Sequence, residues 1–164
     1  MDKSLRVACL GAGYFSQFHH DAWVRIEEAE LVGIADRDLE RARQTGHPAF
    51  DRLEHLLEAT SPDLLDIIVP PQTHLEAIRT ALDHGVRAII CQKPFCASLE
   101  EARTAVSLAQ EAGVPLIVHE NFRFQPWYRE MARALAAGEI GDVHQLSFRS
   151  VSYTHLRAHE TRHD

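Results

Sequence analysis

The sequence predicts an α/β protein built on a doubly wound parallel sheet. Five apolar runs of strand length alternate along the chain with amphipathic segments of helix length. Strands that are buried on both faces show this nearly continuous apolar character. Their alternation with helices is typical of a parallel sheet with right-handed crossovers. An antiparallel α+β domain is the alternative, and it is less well supported because no two-residue hairpin turn joins the strands.

The predicted elements follow one another at a regular rhythm. The clearest helix covers 98–113, where Ser98 and Glu101 form a capping box and Gly113 ends the helix. A second helix of the same design covers 73–85. The predicted strands are 5–10, 31–36, 64–69, 87–92 and 115–120.

The pattern changes after the last of these strands. A helix is predicted over 125–141, and polar and apolar residues then alternate over 142–151, as in a half-buried strand. We therefore expect a first domain at 1–125, followed at 126–150 by a linking helix and a strand that begins a different kind of sheet; the family resemblance described below implies that this strand is the first of a truncated α+β domain. Residues 151–164 have a different character from the rest of the chain.

Charge and cysteine content limit the functional class. The 164 residues carry a net charge of −7 with both signs interspersed, which disfavours nucleic acid and anionic membranes as partners. No apolar stretch has the length of a membrane span. Cys9, Cys91 and Cys96 form no CxxC motif and no even disulfide framework. Reduced thiols are expected in the cytoplasm, which is therefore the predicted location.

A glycine turn follows the first strand and predicts a dinucleotide site. Gly11 and Gly13 occupy the first two positions of G-x-G-x-x-G, and Ser16 stands at the third. The first glycine permits the tight turn, the second lets the backbone approach a pyrophosphate, and the third allows close helix–strand packing. The backbone amides of Tyr14 and Phe15, at the start of the next helix, are expected to face the phosphates.

The end of the second strand bears on the choice of cofactor. Asp36 lies roughly 20 residues beyond the glycine turn, where a carboxylate accepts hydrogen bonds from the adenosine ribose. This carboxylate favours NAD and repels the 2′-phosphate of NADP. Arg37 could attract that phosphate or stack on the adenine, so NADP stays the alternative to NAD. A solvated strand-end carboxylate is the other interpretation of Asp36.

Ligands of open α/β sheets bind beyond the carboxyl ends of the strands. At one such end, Pro70 and Pro71 predict a rigid turn, and Thr73 is expected to cap the following helix. Pro70, Thr73 and His74 are candidate cofactor contacts. For His74, contact with a ligand and a role in capping the turn are both open.

Four motifs carry a resemblance to a known family. "GAGYFSQFH", "VPPQTHLEAIRTALDHG", "QKPF" and "GEIGDV" resemble the N-terminal half of the glucose–fructose oxidoreductase, inositol dehydrogenase and MocA family. The similarity runs from about Leu5 to about Phe148. It implies a Rossmann-type fold and a nicotinamide cofactor. "KPF" with the upstream "PPQTH" is much more specific than the glycine turn.

The family signature Glu-Lys-Pro is replaced here by Gln92-Lys93-Pro94. The resemblance places Lys93 beside the nicotinamide and the substrate hydroxyl, as a catalytic and substrate-binding residue. A cation in that place can orient the hydroxyl and stabilise developing negative charge on oxygen. Glutamine at position 92 removes a negative charge beside the lysine. The acid–base role of Lys93 is therefore open, whereas its positioning role survives more easily.

The resemblance also places the turn "HENFRF" near the nicotinamide. Asn121 is then a candidate cofactor contact, and Arg123 a candidate contact for a substrate hydroxyl or carboxylate. The alternative for Arg123 is an ion pair with a carboxylate such as Glu120 or Glu130. His19 and His20, one turn into the first helix, are interpreted as structural residues.

The resemblance implies hydride transfer between nicotinamide and a secondary alcohol of a sugar, cyclitol or related polyol. In this family a second α+β domain supplies most substrate contacts, much of the oligomer interface and a proton-accepting histidine. We therefore expect these 164 residues to bind cofactor without turnover, and the longer parent to be a homo-oligomeric enzyme. A non-catalytic dinucleotide-binding module, such as a sensor, is the alternative.

The tail "VSYTHLRAHETRHD" holds His155, His159 and His163 at a spacing that would stack them on one helix face. The segment has no apolar periodicity and does not resemble the continuation of the family. Most of it can be reverse-translated into a string that resembles a transposase adapter used to prepare sequencing libraries. We interpret 151–164 as a non-native tail and predict no metal site there.

Overall fold

The computed structural model describes residues 4–147. Six strands form one sheet in the order β3-β2-β1-β4-β5-β6, and every adjacent pair is parallel. The strands are β1 (Leu5–Leu10), β2 (Ala29–Ala35), β3 (Ala49–Phe50), β4 (Leu64–Ile67), β5 (Ala88–Gln92) and β6 (Leu116–His119). The order reverses between β1 and β4. The predicted doubly wound, Rossmann-type sheet is therefore confirmed, with its switch point between these two strands.

Helices connect the strands in the predicted alternation. They are α1 (Ser16–Val24), α2 (Leu39–Gln44), α3 (Leu53–Thr60), α4 (His74–Asp83), α5 (Leu99–Ala112) and α6 (Pro126–Ala136). Short 3-10 turns cover Pro71–Thr73 and Asn121–Phe124. None of the helices among residues 4–147 has the length and apolar content to cross a membrane.

Burial on both faces explains the continuous apolar runs of the strands. One face of the sheet contributes to a cluster that includes Ala8, Leu65, Ile67, Ile89 and Cys91, with Leu56, Leu57, Ile78 and Ala81 from the helices. The opposite cluster includes Val7, Cys9, Ile34 and Leu64, with Trp23 packed against it. Burying one large aliphatic side chain contributes about 1.5–3 kcal/mol, so these two clusters dominate the stability of the sheet.

Strand β3 was not predicted. It has only two residues, which pair with Ile34 and Ala35 of β2. A segment so short shows no periodicity, and only the neighbouring strand makes it part of the sheet. The five longer strands lie where the sequence predicts them: β1 has the predicted ends, and no end of the other four is displaced by more than two residues.

The Ser98 half of the predicted capping box of α5 is confirmed, whereas the Glu101 side chain accepts the Ala97 amide at 3.1 Å rather than the Ser98 amide. The Ser98 side chain accepts a hydrogen bond from the Glu101 amide at 3.1 Å, and Gly113 follows the helix with φ +68°. The predicted cap of α4 is wrong, because Thr73 lies in a 3-10 turn and makes no side-chain cap bond. Its hydroxyl instead donates to the Pro70 carbonyl oxygen at 2.8 Å.

The chain divides into two compact units between Glu120 and Asn121, close to the predicted boundary near residue 125. In the second unit, α6 ends at Ala136, earlier than the predicted 141. The strand predicted over 142–151 does not form over 142–147, where every residue is exposed. Alternation alone does not make a strand, because its backbone groups need a partner strand. The remaining predicted strand residues, and the tail with its three histidines, lie outside the described residues.

Candidate functional site

The glycine turn between β1 and α1 is shaped by contacts that only glycine allows. Gly11 has φ +116°, and a Cβ atom there would lie 2.3 Å from the Ile68 carbonyl oxygen. Its amide donates to the Ala35 carbonyl oxygen at 2.7 Å. A Cβ on Gly13, in contrast, would meet no atom within 4 Å. Gly11 therefore joins the turn to two neighbouring strands, whereas Gly13 borders open space.

Ser16 fills the third position of the glycine motif and begins α1. It is almost fully buried, its amide donates to the Gly13 carbonyl oxygen at 3.1 Å, and its hydroxyl lies 3.5 Å from the Ile68 carbonyl oxygen. A serine therefore fits the close helix–strand approach. Tyr14 and Phe15 are exposed, and Phe15, at the N-cap of α1, provides no side-chain cap.

Asp36 faces back toward the glycine turn from the end of β2. Its Oδ2 accepts a hydrogen bond from the Ala12 amide at 2.8 Å, and its Oδ1 accepts one from the Asp38 amide at 2.9 Å. These bonds hold the carboxylate beside the turn, and each oxygen keeps a lone pair for a further donor. Arg37 is exposed.

Two cavities share Gly13 in their walls. The larger, of about 650 Å³, lies between α1 and α2 and includes Tyr14 in its lining. The smaller, of about 290 Å³, is lined by Gly13, Phe15, Ser16, Ile68, Val69, Pro70, Gln92 and Lys93. We call it the lysine cavity. It brings together six predicted site residues from the carboxyl ends of β1, β4 and β5.

The predicted residue Gln92 forms one end of a buried hydrogen-bond network. Its Oε1 accepts the Lys93 amide at 2.8 Å, and its Nε2 lies 2.9 Å from His19 Nε2. Gln92 and His19 are both buried. The side chain at position 92 therefore connects the backbone of Lys93 to the first helix.

The other end of this network is Asp66, in the middle of β4. Its Oδ2 lies 2.8 Å from His19 Nδ1 and accepts the Trp23 indole N–H at 2.8 Å. Asp66 is 1% exposed, and its Oδ1 has no hydrogen-bond partner among the described residues. Sequence reasoning missed both His19 and Asp66 as site residues. The signal for Asp66 was present, since it is a lone charge within the apolar run "LLDIIV".

The profile of the GFO/IDH/MocA oxidoreductase family, with an NAD-binding Rossmann fold, matches residues 5–120. The chain belongs to this family. It is 41% identical over 155 residues to a D-apiose dehydrogenase of Paraburkholderia graminis, covering 90% of this chain and 41% of the relative. It is 33% identical over 150 residues to an inositol 2-dehydrogenase of Corynebacterium glutamicum, covering 87% and 44%. The chain thus spans less than half the length of these relatives.

Solved structures of other oxidoreductases have the same fold as this chain. An oxidoreductase from Agrobacterium radiobacter, in complex with NAD⁺, L-tartaric acid and magnesium, superposes with a TM-score of 0.80 at 33% identity. The match covers 85% of this chain and 42% of that one. A dehydrogenase from Bordetella pertussis, in complex with NADH and UDP-GlcNAcA, gives a TM-score of 0.77 at 26% identity over 84% of this chain and 43% of that one.

His74 is engaged by the protein in this member of the GFO/IDH/MocA family. It is fully buried, and its ring nitrogens lie 2.8 Å from the Phe95 carbonyl oxygen and 2.7 Å from the Val69 carbonyl oxygen. Both ring nitrogens therefore face backbone of the protein itself, and the cofactor contact of His74 stays a prediction. The histidine ties the loop after Lys93 to the end of β4.

Burial controls the ionisation of several groups near the site. It raises the pKa of Cys91 to about 12, and it raises the pKa of Cys9 well above its ordinary value, with the charge of Asp66 as a smaller cause. Neither thiol is a nucleophile near neutral pH. Burial also lowers the pKa of His20 and of His119, so both rings are neutral there.

Asn121 and Arg123 lie in the second unit, on its 3-10 turn. The guanidinium of Arg123 stands 5.4 Å from the centre of the Phe124 ring. Glu130, one of the predicted carboxylate partners of Arg123, pairs with Arg133 at 2.7 Å. The roles of Asn121 toward the cofactor and of Arg123 toward the substrate stay predictions. Within residues 4–147, no group of histidine, cysteine and acidic side chains is arranged to hold a metal ion.

Proposed function

We propose that this chain is the NAD(P)-binding part of an oxidoreductase acting on a secondary alcohol of a sugar, cyclitol or related polyol. The observation that carries the proposal is the lysine cavity, in which Gly13 and Lys93 line the same space. Gly13 follows β1 and leaves room for a dinucleotide to approach the backbone, and Lys93 follows β5, where its ammonium group could meet a substrate hydroxyl. The sugar and inositol dehydrogenases among its relatives support the same substrate class.

A bound nicotinamide would supply the hydride chemistry of the proposed reaction, by which an alcohol carbon loses hydride or the corresponding carbonyl carbon gains it. Gly13 lets the dinucleotide approach the backbone, and the amides at the start of α1 face its phosphates. The Lys93 ammonium orients the substrate hydroxyl and stabilises negative charge that develops on its oxygen. Asn121 and Arg123 are proposed contacts on the nicotinamide and substrate side.

We propose NAD as the preferred cofactor, because the Asp36 carboxylate is held beside the glycine turn by the Ala12 amide. It would accept a hydrogen bond from the ribose 2′-hydroxyl and repel a 2′-phosphate. Arg37 beside it keeps NADP as the alternative. The cytoplasmic location and a homo-oligomeric state of the longer protein stay proposals of the same kind.

Isothermal titration of the 164-residue chain with NADH and NADPH tests the cofactor assignment. Binding of NADH, with weaker binding of NADPH, is expected. A folded sample that binds neither would refute the proposal. Because the chain spans less than half of its relatives, we expect no turnover of D-apiose or inositol with NAD by these residues alone. Cofactor-linked oxidation of either would contradict that expectation, and a full-length protein that binds NADH yet oxidises no polyol would favour the sensor.

A further inference from the structure

The position of Lys93 depends on side chains that lie far from it in sequence. Gln92 Oε1 accepts its amide at 2.8 Å, Gln92 reaches His19 at 2.9 Å, and His19 reaches Asp66 at 2.8 Å. The series crosses from β5 through α1 to β4, behind the lysine cavity. Its importance for the reaction rests on the proposed function, whereas its hydrogen bonding does not.

The hydrogen-bond types in this series follow from one fixed donor. The Lys93 backbone N–H can only donate, so the atom of Gln92 that faces it is the carbonyl Oε1. The Gln92 Nε2 amide group, a donor, therefore faces His19 Nε2. That nitrogen accepts only when it carries no proton, and a neutral His19 then carries its proton on Nδ1. The Nδ1–H points at Asp66 Oδ2, which accepts it.

The groups around the series agree with this arrangement. The second N–H of the Gln92 amide faces His119 Nδ1 at 3.4 Å, and burial lowers the pKa of His119, which keeps that ring neutral and able to accept. The rings of His19 and His119 lie 4.6 Å apart between centres. Trp23 donates to the same Asp66 oxygen as His19 does. Each donor therefore faces an acceptor.

We propose that His19 and Asp66 are positioning residues for Lys93. Buried Asp66 holds the His19 proton on Nδ1, His19 Nε2 anchors the Gln92 amide, and the Gln92 carbonyl holds the Lys93 backbone. This arrangement requires glutamine at position 92. A glutamate there would place carboxylates on both sides of His19, and the ring would bind a second proton between them.

The first test is ¹⁵N NMR of the histidine rings in the complete, cofactor-free chain. The hydrogen bonds predict that His19 carries its proton on Nδ1 and has none on Nε2. His20 is the internal control, because its Nε2 donates to the Gly11 carbonyl oxygen, so it should show the opposite tautomer. In Gln92→Glu, His19 should become doubly protonated while His20 stays unchanged. A wild-type His19 with a proton on Nε2 would overturn the proposal, and needs no variant to be detected.

The second test measures the connection to Lys93. In His19→Phe, the Lys93 backbone amide resonance should shift and exchange faster with solvent, whereas the exposed-site control His55→Phe should leave it in place. NADH binding should weaken about tenfold in His19→Phe, as for the loss of one buried hydrogen bond, and Lys93→Ala with His19→Phe should bind no more weakly than Lys93→Ala alone. Additive losses would show that His19 does not act through Lys93.

The two proposals fail in different ways. A wild-type chain that binds no NADH would refute the proposed function, while the ring tautomers and the Lys93 amide would still decide the positioning network. If His19→Phe does not fold, Gln92→Ala takes its place in the amide and binding measurements. Loss of the Lys93 amide protection is then expected, and an unchanged amide would overturn the proposal.

Discussion

The two sides of the β1–β4 switch point hold their site residues in different ways. On the β1–β2 side, the glycine turn and Asp36 are connected mostly through backbone amides, as in the bond from Ala12 to Asp36. On the β4–β5 side, Lys93 is held through buried side chains that end at Asp66. The first side depends on conformation that few residues can adopt. The second depends on donors and acceptors that must match across three elements.

The largest expected effect lies on the backbone side. Gly11→Ala should destabilise the chain by about 3 kcal/mol or more, because its Cβ would meet the Ile68 carbonyl oxygen at 2.3 Å. Gly13→Ala is the matched control and should melt like the wild type, since its Cβ meets nothing within 4 Å. It should nevertheless weaken NADH binding. Thermal unfolding measures the stability of both variants, and titration with NADH measures their binding. Equal stability of the two variants would contradict the expected difference between Gly11 and Gly13.

The second-largest expected effect concerns the buried thiol of Cys91, in β5 next to Gln92. With a pKa of about 12, Cys91 loses its proton only far above neutral pH, so at pH 8 almost no thiolate is available. A thiol reagent should label Cys91 at least about a hundredfold more slowly in the folded chain than in urea. Raising the pH toward 12 should accelerate the reaction, as long as the fold persists. Mass spectrometry assigns the labelled cysteine, and rapid labelling at pH 8 would show that this region is open to water.

Asp36 tests the backbone side directly. Asp36→Ala should weaken NADH binding about tenfold through loss of a charge-assisted hydrogen bond to ribose. NADPH binding should weaken less or improve, because the repulsion of a 2′-phosphate is removed. Asp38→Ala, which removes the cap of α2 but not the ribose contact, is the control. A titration in which both variants lose NADH equally would assign Asp36 a structural role only.

The smallest expected effects are on stability, and they come from removing the hydroxyl groups of two predicted helix-capping residues. Ser98→Ala should cost about 1 kcal/mol, because its hydroxyl caps α5. Thr73→Ala should cost less, because the exposed Thr73 hydroxyl, within residues 4–147, bonds to the Pro70 carbonyl oxygen before the helix and not to an amide of α4. Urea unfolding of the two variants measures the difference. An equal or larger loss at Thr73 would mean that its turn stabilises α4 more than the contacts indicate.

The errors of prediction share one cause. Thr73 carries a good capping residue type, but the double proline before it produces a 3-10 turn that directs its hydroxyl elsewhere. The alternation over 142–151 is strand-like, yet no strand forms at 142–147. For His74, a ligand contact and a capping role were both open, and its two ring nitrogens lie against the carbonyl oxygens of Phe95 and Val69. In each case the residue types fitted the predicted local structure, but the surrounding backbone determined which hydrogen bonds formed.

The sequence by itself determined the parallel α/β sheet, the cap of α5, the glycine turn, and the gathering of Gln92 and Lys93 at the carboxyl ends of the strands. Those features depend on periodicity and on residue types at short spacing. Only the tertiary structure decided the network behind Lys93, because Asp66 and Gln92 reach His19 from 47 and 73 residues away along the chain. Strand order sets such pairings, and local patterns contain no information about which distant donor meets which acceptor.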